Sequence, residues 1–199
     1  MKEIEFIKQI FFENGGVVKT KILRENGLSS RDLKQFVDAG IIEQIRWGYY
    51  QFADNNDFSE IPILVSLFPD GILCMESALD HYGYIERTPD AWEIAVDAGS
   101  GRKRFQIPYP IIHPHFIINS KLNIGVTTAV IDETEIKIYD RERTICDCLY
   151  HRNKMDAEVF NQAVHSYLKD ENRREYILAN YASKLHVTRK VREVLGIWL

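Results

Sequence analysis

The stretch SSRDLKQFVDAGIIEQIRWGYYQF, residues 29–52, predicts a charged helix followed by a β-hairpin. Ser29 and Asp32 stand three residues apart, which is the spacing of a helix N-cap and the residue that caps it in return. Gly40 ends the helix, because glycine readily adopts the left-handed conformation found just past a helix C-terminus. Beyond it, β-branched and aromatic residues predict two strands, with Gly48 at the turn between them.

Two further helices are predicted before this stretch. Apolar residues recur at helical spacing over residues 4–11, and a second, shorter helix is expected over 20–26. With the strands at 41–45 and 49–52, the order is three helices and then a hairpin. That order is typical of a winged helix-turn-helix, which binds DNA.

The rest of the chain predicts a second domain of mixed character. A polar run at 54–57 lacks helix formers and indicates a boundary between a first domain, 1–53, and a second, 60–199. Alternating apolar residues between 91 and 138 predict four or five strands, and helical patterns follow them to the end of the chain. The expected fold class is therefore α+β: an N-terminal winged helix-turn-helix, then a mixed domain with a small β-sheet and a C-terminal helical bundle.

Composition predicts a cytoplasmic globular protein. Of 199 residues, 45% are hydrophobic and 27% are charged, which are ordinary globular values. The three cysteines are an odd number and two are separated by one residue, so disulfides are not expected and a reducing cytosol fits best. The longest apolar stretch, 61–68, is too short to span a membrane.

The distribution of charge leaves room for local contact with nucleic acid. A net charge of −4 argues against a protein that is coated in nucleic acid. Nevertheless, residues 1–52 hold eight Lys or Arg against seven Asp or Glu, and residues 171–199 hold six against three. Phosphate contacts depend on where the cations lie rather than on the net charge.

The helix that begins at Ser29 turns polar side chains away from its apolar stripe, as a recognition helix would. Arginine and glutamine can make bidentate contacts with guanine and adenine edges in the major groove. The predicted DNA-binding residues are Ser29, Ser30, Arg31, Lys34, Gln35, Arg46 and Trp47. In this interpretation the two serines hold phosphate, the next three residues read the major groove, and the last two anchor the wing. Lys19, Lys21 and Arg24 would add backbone contacts; the alternative is that all of these are solvated side chains on a small helical domain.

The same stretch resembles the N-terminal domain of the AbiEi family of antitoxins from bacterial abortive-infection systems. The residues that carry the resemblance are Gly27-Leu28-Ser29, Gly40 and Arg46-Trp47-Gly48-Tyr49-Tyr50. It continues through SALDHYGY at 77–84 and RERTICDCLYHRNKMD at 141–156. It therefore covers nearly the whole chain.

The resemblance implies a DNA-binding repressor with antitoxin activity, not an enzyme. Such a protein would bind double-stranded DNA at repeated sites in its own promoter and would counter a nucleotidyltransferase-like toxin without a tight complex. Two basic clusters are candidates for the antitoxin surface: Arg102, Lys103 and Arg104, and Arg173, Arg174, Arg189, Lys190 and Arg192. Three alternatives stay open: the second cluster could support DNA binding, it could be solvated helix surface, and the chain could be a regulator that has no toxin partner.

Three patterns in the sequence have residue types that occur in enzyme or metal sites. Asp90, Glu135 and Lys137 have the residue types of a metal-dependent nuclease, although Glu-x-Lys also arises on any exposed strand face. His113, His115, Cys146 and Cys148 have the residue types of a zinc site, but a helix turns residues two apart in nearly opposite directions. The glycine-containing loop at 98–104 lacks the spacing of a phosphate-binding loop. No cofactor or metal is therefore expected, and the nuclease is kept as the alternative activity.

Overall fold

The computed structural model describes residues 2–53 and 59–196, which fold into two compact units with mixed α and β structure. The first unit runs to Pro69 and includes two short later segments, Gln106–Pro110 and Ile131–Thr134. The second unit holds the rest of the chain. The α+β fold class is confirmed. Among the helices of the described residues, none has the length and hydrophobicity required to cross a bilayer.

The first unit consists of four helices and a three-stranded sheet. Its elements are α1 (Lys2–Glu13), β1 (Val17–Lys19), α2 (Thr20–Glu25), α3 (Ser30–Asp38), β2 (Ile42–Arg46), β3 (Tyr49–Phe52) and α4 (Glu60–Leu67). The sheet is antiparallel in the order β1-β3-β2, with Val18 opposite Tyr50 and Ile42 opposite Phe52. Ile7, Phe11 and Leu23 are among the buried side chains that join the helices to this sheet. The helices and hairpin expected from the sequence are confirmed; β1 was not predicted.

Helix α3 begins where the sequence predicts, because Ser29 and Asp32 cap each other. The Ser29 hydroxyl accepts a hydrogen bond from the Asp32 amide at 3.2 Å, and the Ser29 amide donates to the Asp32 carboxylate at 2.7 Å. The hydrogen bonds from the Ser29 side chain and backbone hold the pKa of Asp32 below its ordinary value. Such caps stabilise a helix by about 1 kcal/mol.

The boundary between the units differs from the predicted one. Helix α4 belongs with the first unit, so the second begins after Pro69 and not at residue 60. The reason is a close approach of backbone to side chain: a Cβ atom on Gly15 would lie 2.6 Å from the Cβ of Pro62, and Gly15 has φ +70°. Only glycine allows this packing. The predicted linker at 54–57 lies outside the described residues.

The second unit is built on a five-stranded mixed sheet. Its strands are β4 (Ile72–Leu73), β5 (Trp92–Asp97), β6 (Ile112–Ile117), β7 (Val126–Ile131) and β8 (Thr134–Tyr139), in the order β6-β5-β4-β8-β7. Strand β5 is parallel to β6 and antiparallel to β4, and β4 is parallel to β8. The prediction of four or five strands in this part of the chain is confirmed.

In the described part of the second unit, six α-helices accompany this sheet. They are α5 (Met75–His81), α6 (Asn119–Leu122), α7 (Arg141–His151), α8 (Ala157–Lys169), α9 (Glu175–Leu185) and α10 (Thr188–Leu195). Apolar residues of α5 and of the last four helices share one core, which includes Leu149, Phe160, Tyr167, Leu178 and Val191. This arrangement confirms the predicted C-terminal helical bundle.

Charged residues also lie inside the second unit, at the start of α7. Arg143 is 1% exposed and donates from Nη1 to the carbonyl oxygens of Lys121 and Ile124, both at 2.7 Å. Its Nε lies 3.0 Å from both carboxylate oxygens of Asp147, and its guanidinium stacks 4.0 Å from the Tyr139 ring centroid. This arginine therefore ties α7 to β8 and to α6 with the loop that follows it.

A second ion-pair cluster joins Tyr84, which follows α5, and Arg141, at the start of α7, to Asp170 at the end of α8. This cluster makes folding sensitive to acid. Asp170 accepts hydrogen bonds from Tyr84 Oη at 2.6 Å and Arg141 Nε at 2.8 Å. Burial acts to raise the pKa of Asp170, but the hydrogen bonds from Tyr84, Asn172 and Arg141 outweigh it and set the pKa at about 2. Because this is lower than the value of about 3.9 in an unfolded chain, ionised Asp170 stabilises the fold above pH 4.

We therefore expect Asp170→Asn to lower the free energy of unfolding at pH 6, and this difference from the natural chain to shrink as the pH falls from 4 to 2. Urea unfolding of both proteins at pH 6, 4 and 2.5 measures it. A difference that stays constant over this range would show that the carboxylate charge of Asp170 contributes nothing.

Candidate nucleic-acid interface

The exposed face of α3 carries polar side chains that the fold leaves unused. Arg31, Lys34 and Gln35 are all exposed, and none forms a side-chain hydrogen bond or ion pair with any residue that the structure describes. Residues three and four apart lie on one side of a helix, so these three side chains project together. Leu33 on the opposite side is buried, which fixes this orientation. A cation and an amide that project together from a rigid helix suit the edges of bases in a major groove.

Beside this face, α2, the start of α3 and the hairpin tip enclose a groove of about 570 Å³. Side chains that donate hydrogen bonds or carry positive charge line much of it, including Thr20, Lys21, Arg24, Ser30, Gln44 and Trp47. Arg24 reaches across from α2 and donates to the Ser30 hydroxyl at 3.0 Å. Lys21 lies 3.8 Å from Glu25, and both side chains are largely exposed. The groove therefore brings Lys21 and Arg24 together with the predicted residues Ser30 and Trp47.

The turn between β2 and β3 is held in place by a hydrogen bond, whereas the tryptophan side chain at this turn is exposed. Gly48 takes φ +81°, a turn conformation that other residues rarely adopt, and its carbonyl accepts a hydrogen bond from the Thr20 amide at 2.9 Å. Trp47, next to it, is 93% exposed. Thr20 and Gln44 were not identified from the sequence, because neither residue type indicates a role without the groove that places it.

Arg46 makes its contacts within the first unit, and its role as a wing anchor stays a prediction that these contacts do not favour. Its Nη2 donates to the Leu67 carbonyl oxygen at 3.0 Å, and its guanidinium stacks on Tyr49 at 4.1 Å and on Phe68 at 5.7 Å from the ring centroids. The side chain thus joins the turn end of the hairpin to the end of α4. Its charge is directed into the first unit.

We expect Arg46→Ala to lower the free energy of unfolding by about 1–3 kcal/mol, because it removes a charged hydrogen bond and two cation–π contacts. Lys34→Ala is the matched control and should leave stability unchanged, since Lys34 is exposed and has no partner among the described residues. Thermal and urea unfolding of both variants measures the difference. Unchanged stability together with a tenfold loss of DNA affinity in Arg46→Ala would support the wing-anchor role.

Ser29 is also committed to the fold. Its hydroxyl donates to the Asp32 carboxylate at 2.6 Å and accepts from the Asp32 amide. The hydroxyl therefore already acts as both donor and acceptor within the cap. The Asp32 carboxylate places negative charge at the same helix end. Of the two predicted phosphate-holding serines, Ser30 in the groove is the better placed.

Most of the predicted antitoxin residues are engaged in contacts of the second unit. Arg104 pairs with Asp70, and Arg174 pairs with Asp140 at 3.0 Å and with fully buried Glu142 at 2.6 Å. Arg173 and Lys190 donate to the carbonyl oxygens of Leu168 and Tyr150. Arg192, although exposed, also has a partner.

At three of these positions the cation is exposed and forms no ion pair, among the described residues, with a partner distant in sequence. Arg102 stacks on Phe116 at 4.4 Å from the ring centroid, and Lys103 beside it is exposed. Arg189 is 89% exposed and pairs with Glu193 one helical turn away. The two clusters therefore offer fewer available cations at the protein surface than the sequence predicted.

The structure does not bring the enzyme-like or metal-like residues together. Glu135 and Lys137 are exposed on β8 and alternate with buried Ile136 and Ile138, while β4 separates β8 from β5, the strand that Asp90 precedes. This pattern is that of the solvent-facing side of a strand.

The cysteines and histidines serve the fold in separate places. Cys146 and Cys148 are buried, and burial raises the pKa of both thiols. His115 Nε2 lies 3.1 Å from Glu93 Oε1, and His113 is exposed. Within the described part of the chain, no three His, Cys, Asp or Glu side chains are grouped so that they could hold a metal ion.

Comparison with known proteins identifies a solved structure with a similar fold. No protein-family model matches the sequence, and no curated protein matches it. Among solved structures, the chain is similar to the crystal structure of the RV2827C protein from Mycobacterium tuberculosis, with a TM-score of 0.52 and 13% sequence identity. The match covers 96% of this chain and 79% of that one.

Proposed function

We propose that this chain is a DNA-binding transcriptional repressor with antitoxin activity, which represses its own operon and counters a nucleotidyltransferase-like toxin. Its first unit would act as a winged helix-turn-helix: α3 is the recognition helix and the β2–β3 hairpin is the wing. One observation carries this proposal. Arg31, Lys34 and Gln35 on the exposed face of α3 form no side-chain hydrogen bond or ion pair with a described residue, and this face lies beside a groove whose lining includes the cations Lys21 and Arg24.

The order of elements in the first unit supports this assignment. Strand β1 lies between α1 and α2, and β2 and β3 follow α3 directly, so that all three strands form one small sheet beside three helices. In a winged helix-turn-helix the recognition helix enters the major groove, and its first residues meet the base edges. Arg31 is the second residue of α3, so the chemistry and the position of this residue agree.

The antitoxin part of the proposal rests on the resemblance carried by residues 77–84 and 141–156. These segments fall in α5 and its C-terminal end, and in α7 with the residues that follow it, and they contribute Leu79, Ile145 and Leu149 to the core of the second unit. The surface proposed for this activity is reduced to Arg102, Lys103 and Arg189, whose cations are exposed.

Binding of the full chain to the DNA upstream of its own gene tests the repressor proposal. Fluorescence anisotropy at 150 mM salt should show binding to this region at least about 10³-fold tighter than to a duplex with the same composition in scrambled order. The affinity should also fall as salt is raised, since cations displace counterions from phosphate. Equal affinity for both duplexes would remove the repressor assignment.

Co-expression with the product of the neighbouring gene tests the antitoxin proposal. If that gene encodes a nucleotidyltransferase-like protein, the natural chain should restore growth, and a variant with Arg102, Lys103 and Arg189 all changed to alanine should not. The same variant should bind DNA as the natural chain does, because all three residues lie in the second unit. Growth restored by the variant would discard this surface, and a neighbouring gene of another class would favour a regulator without a toxin.

A further inference from the structure

The exposed tryptophan at the hairpin tip has no structural role in the first unit. Trp47 is 93% exposed, which is unusual for the largest apolar side chain. The turn beneath it is secured by the Gly48–Thr20 hydrogen bond at 2.9 Å, and the strand before it by Arg46. The indole is therefore presented to solvent by a fixed support.

The surroundings of Trp47 favour nucleic acid over protein as its partner. Protein docking sites are contiguous apolar patches of several hundred Å². Trp47 instead shares its groove with the cations Lys21 and Arg24 and with polar side chains such as Thr20 and Ser30; Glu25, Leu33 and Tyr50 also line it. Aromatic rings beside two cations match a partner that combines negative charge with flat apolar surfaces, which is the chemistry of DNA.

We propose that Trp47 enters the DNA minor groove next to the major-groove site of α3 and there selects A·T over G·C base pairs. This inference rests on the proposed function, because it assumes that α3 occupies the adjacent major groove. The indole carries one polar group, an N–H that donates and cannot accept. In the minor groove an A·T pair presents only acceptors, whereas a G·C pair adds the guanine 2-amino donor, which opposes another donor. The indole N–H therefore fits A·T and not G·C.

The test changes the minor groove while it leaves the major-groove pattern intact. The upstream DNA is prepared with 2,6-diaminopurine in place of adenine, which places a 2-amino group in the minor groove of every A·T pair. Binding of the natural chain should weaken by about tenfold, the effect of one lost base-edge contact. Trp47→Phe keeps an aromatic ring but removes the N–H. Its affinities for the two DNAs should therefore differ by less than about twofold, because this variant has no base-edge contact at that position to lose.

A second variant separates this inference from the proposed function. Arg31→Ala should bind both DNAs more weakly than the natural chain does and still lose about tenfold on diaminopurine DNA, because its Trp47 is intact. Since Trp47 is exposed, the natural chain and Trp47→Phe should fold equally well, and equal thermal unfolding of the two proteins checks this.

Two outcomes would overturn the inference. If the natural chain and Trp47→Phe respond equally to diaminopurine, the indole does not read the minor groove, while the repressor assignment stands through Arg31. If the chain prefers no DNA sequence at all, both the inference and the proposed function are wrong.

Discussion

Arg143→Met should destabilise the second unit by about 3–5 kcal/mol, the cost typical of removing one partner from a buried ion pair. Methionine fills much of the same volume, so the loss comes from polar groups that are left without partners. Asp147, whose side chain is 13% exposed, would lose its counter-ion, and burial, which already raises its pKa, would then favour its protonated form. The carbonyl oxygens of Lys121 and Ile124 would each lose a hydrogen bond of 2.7 Å.

Urea unfolding followed by circular dichroism measures this loss. Arg189→Ala is the control, since Arg189 is 89% exposed and its pair with Glu193 should contribute less than about 0.5 kcal/mol. Arg143→Met with Asp147→Leu should recover part of the loss, because an apolar pair removes the unpaired carboxyl group. A loss below about 1 kcal/mol in Arg143→Met would show that the buried arginine is dispensable.

Local patterns predicted much of the first unit because its signals lie close together in the sequence. The Ser29–Asp32 cap, Gly40 and the turn at Gly48 each act on their immediate neighbours, and the structure confirms all three. Strand β1 was missed for the converse reason. Three residues are too few to show a period, and β1 exists because Val18 pairs with Tyr50 far along the chain.

The predicted site residues that the fold uses for its own contacts include cations whose partners are distant in sequence. Arg46 bonds to a carbonyl 21 residues away, and Arg174 to the carboxylate of Glu142, 32 residues away. A sequence shows the charge of an arginine but not the group that will meet it. Glu142 adds a second difficulty, since it is fully buried, while charged residues at the start of a helix are usually exposed. In the proposed interface, the residues that kept their assignment are those that the fold leaves without partners, such as Arg31 and Gln35.

Arg31→Ala should weaken binding to the upstream DNA by about 1–3 kcal/mol, or roughly 5- to 150-fold in Kd, and relax the preference at one base pair. Arg31 is exposed and forms no hydrogen bond or ion pair with a described residue, so the free protein should be about as stable as before. The effect should therefore fall on the complex alone. Adding Gln35→Ala, one helical turn further on, removes a second base contact and should bring the total loss to roughly hundredfold or more.

The charge and the geometry of Arg31 can be separated with Arg31→Lys. Lysine keeps the positive charge but lacks the planar pair of donors that matches guanine. Arg31→Lys should therefore retain the salt dependence of the natural chain and still lose most of its preference at that base pair, as competition with single-base variants of the upstream DNA would show. If Arg31→Lys preserved that preference, the side chain would be acting as a phosphate contact. If Arg31→Ala and Gln35→Ala both bound as the natural chain does, α3 would not be the recognition helix.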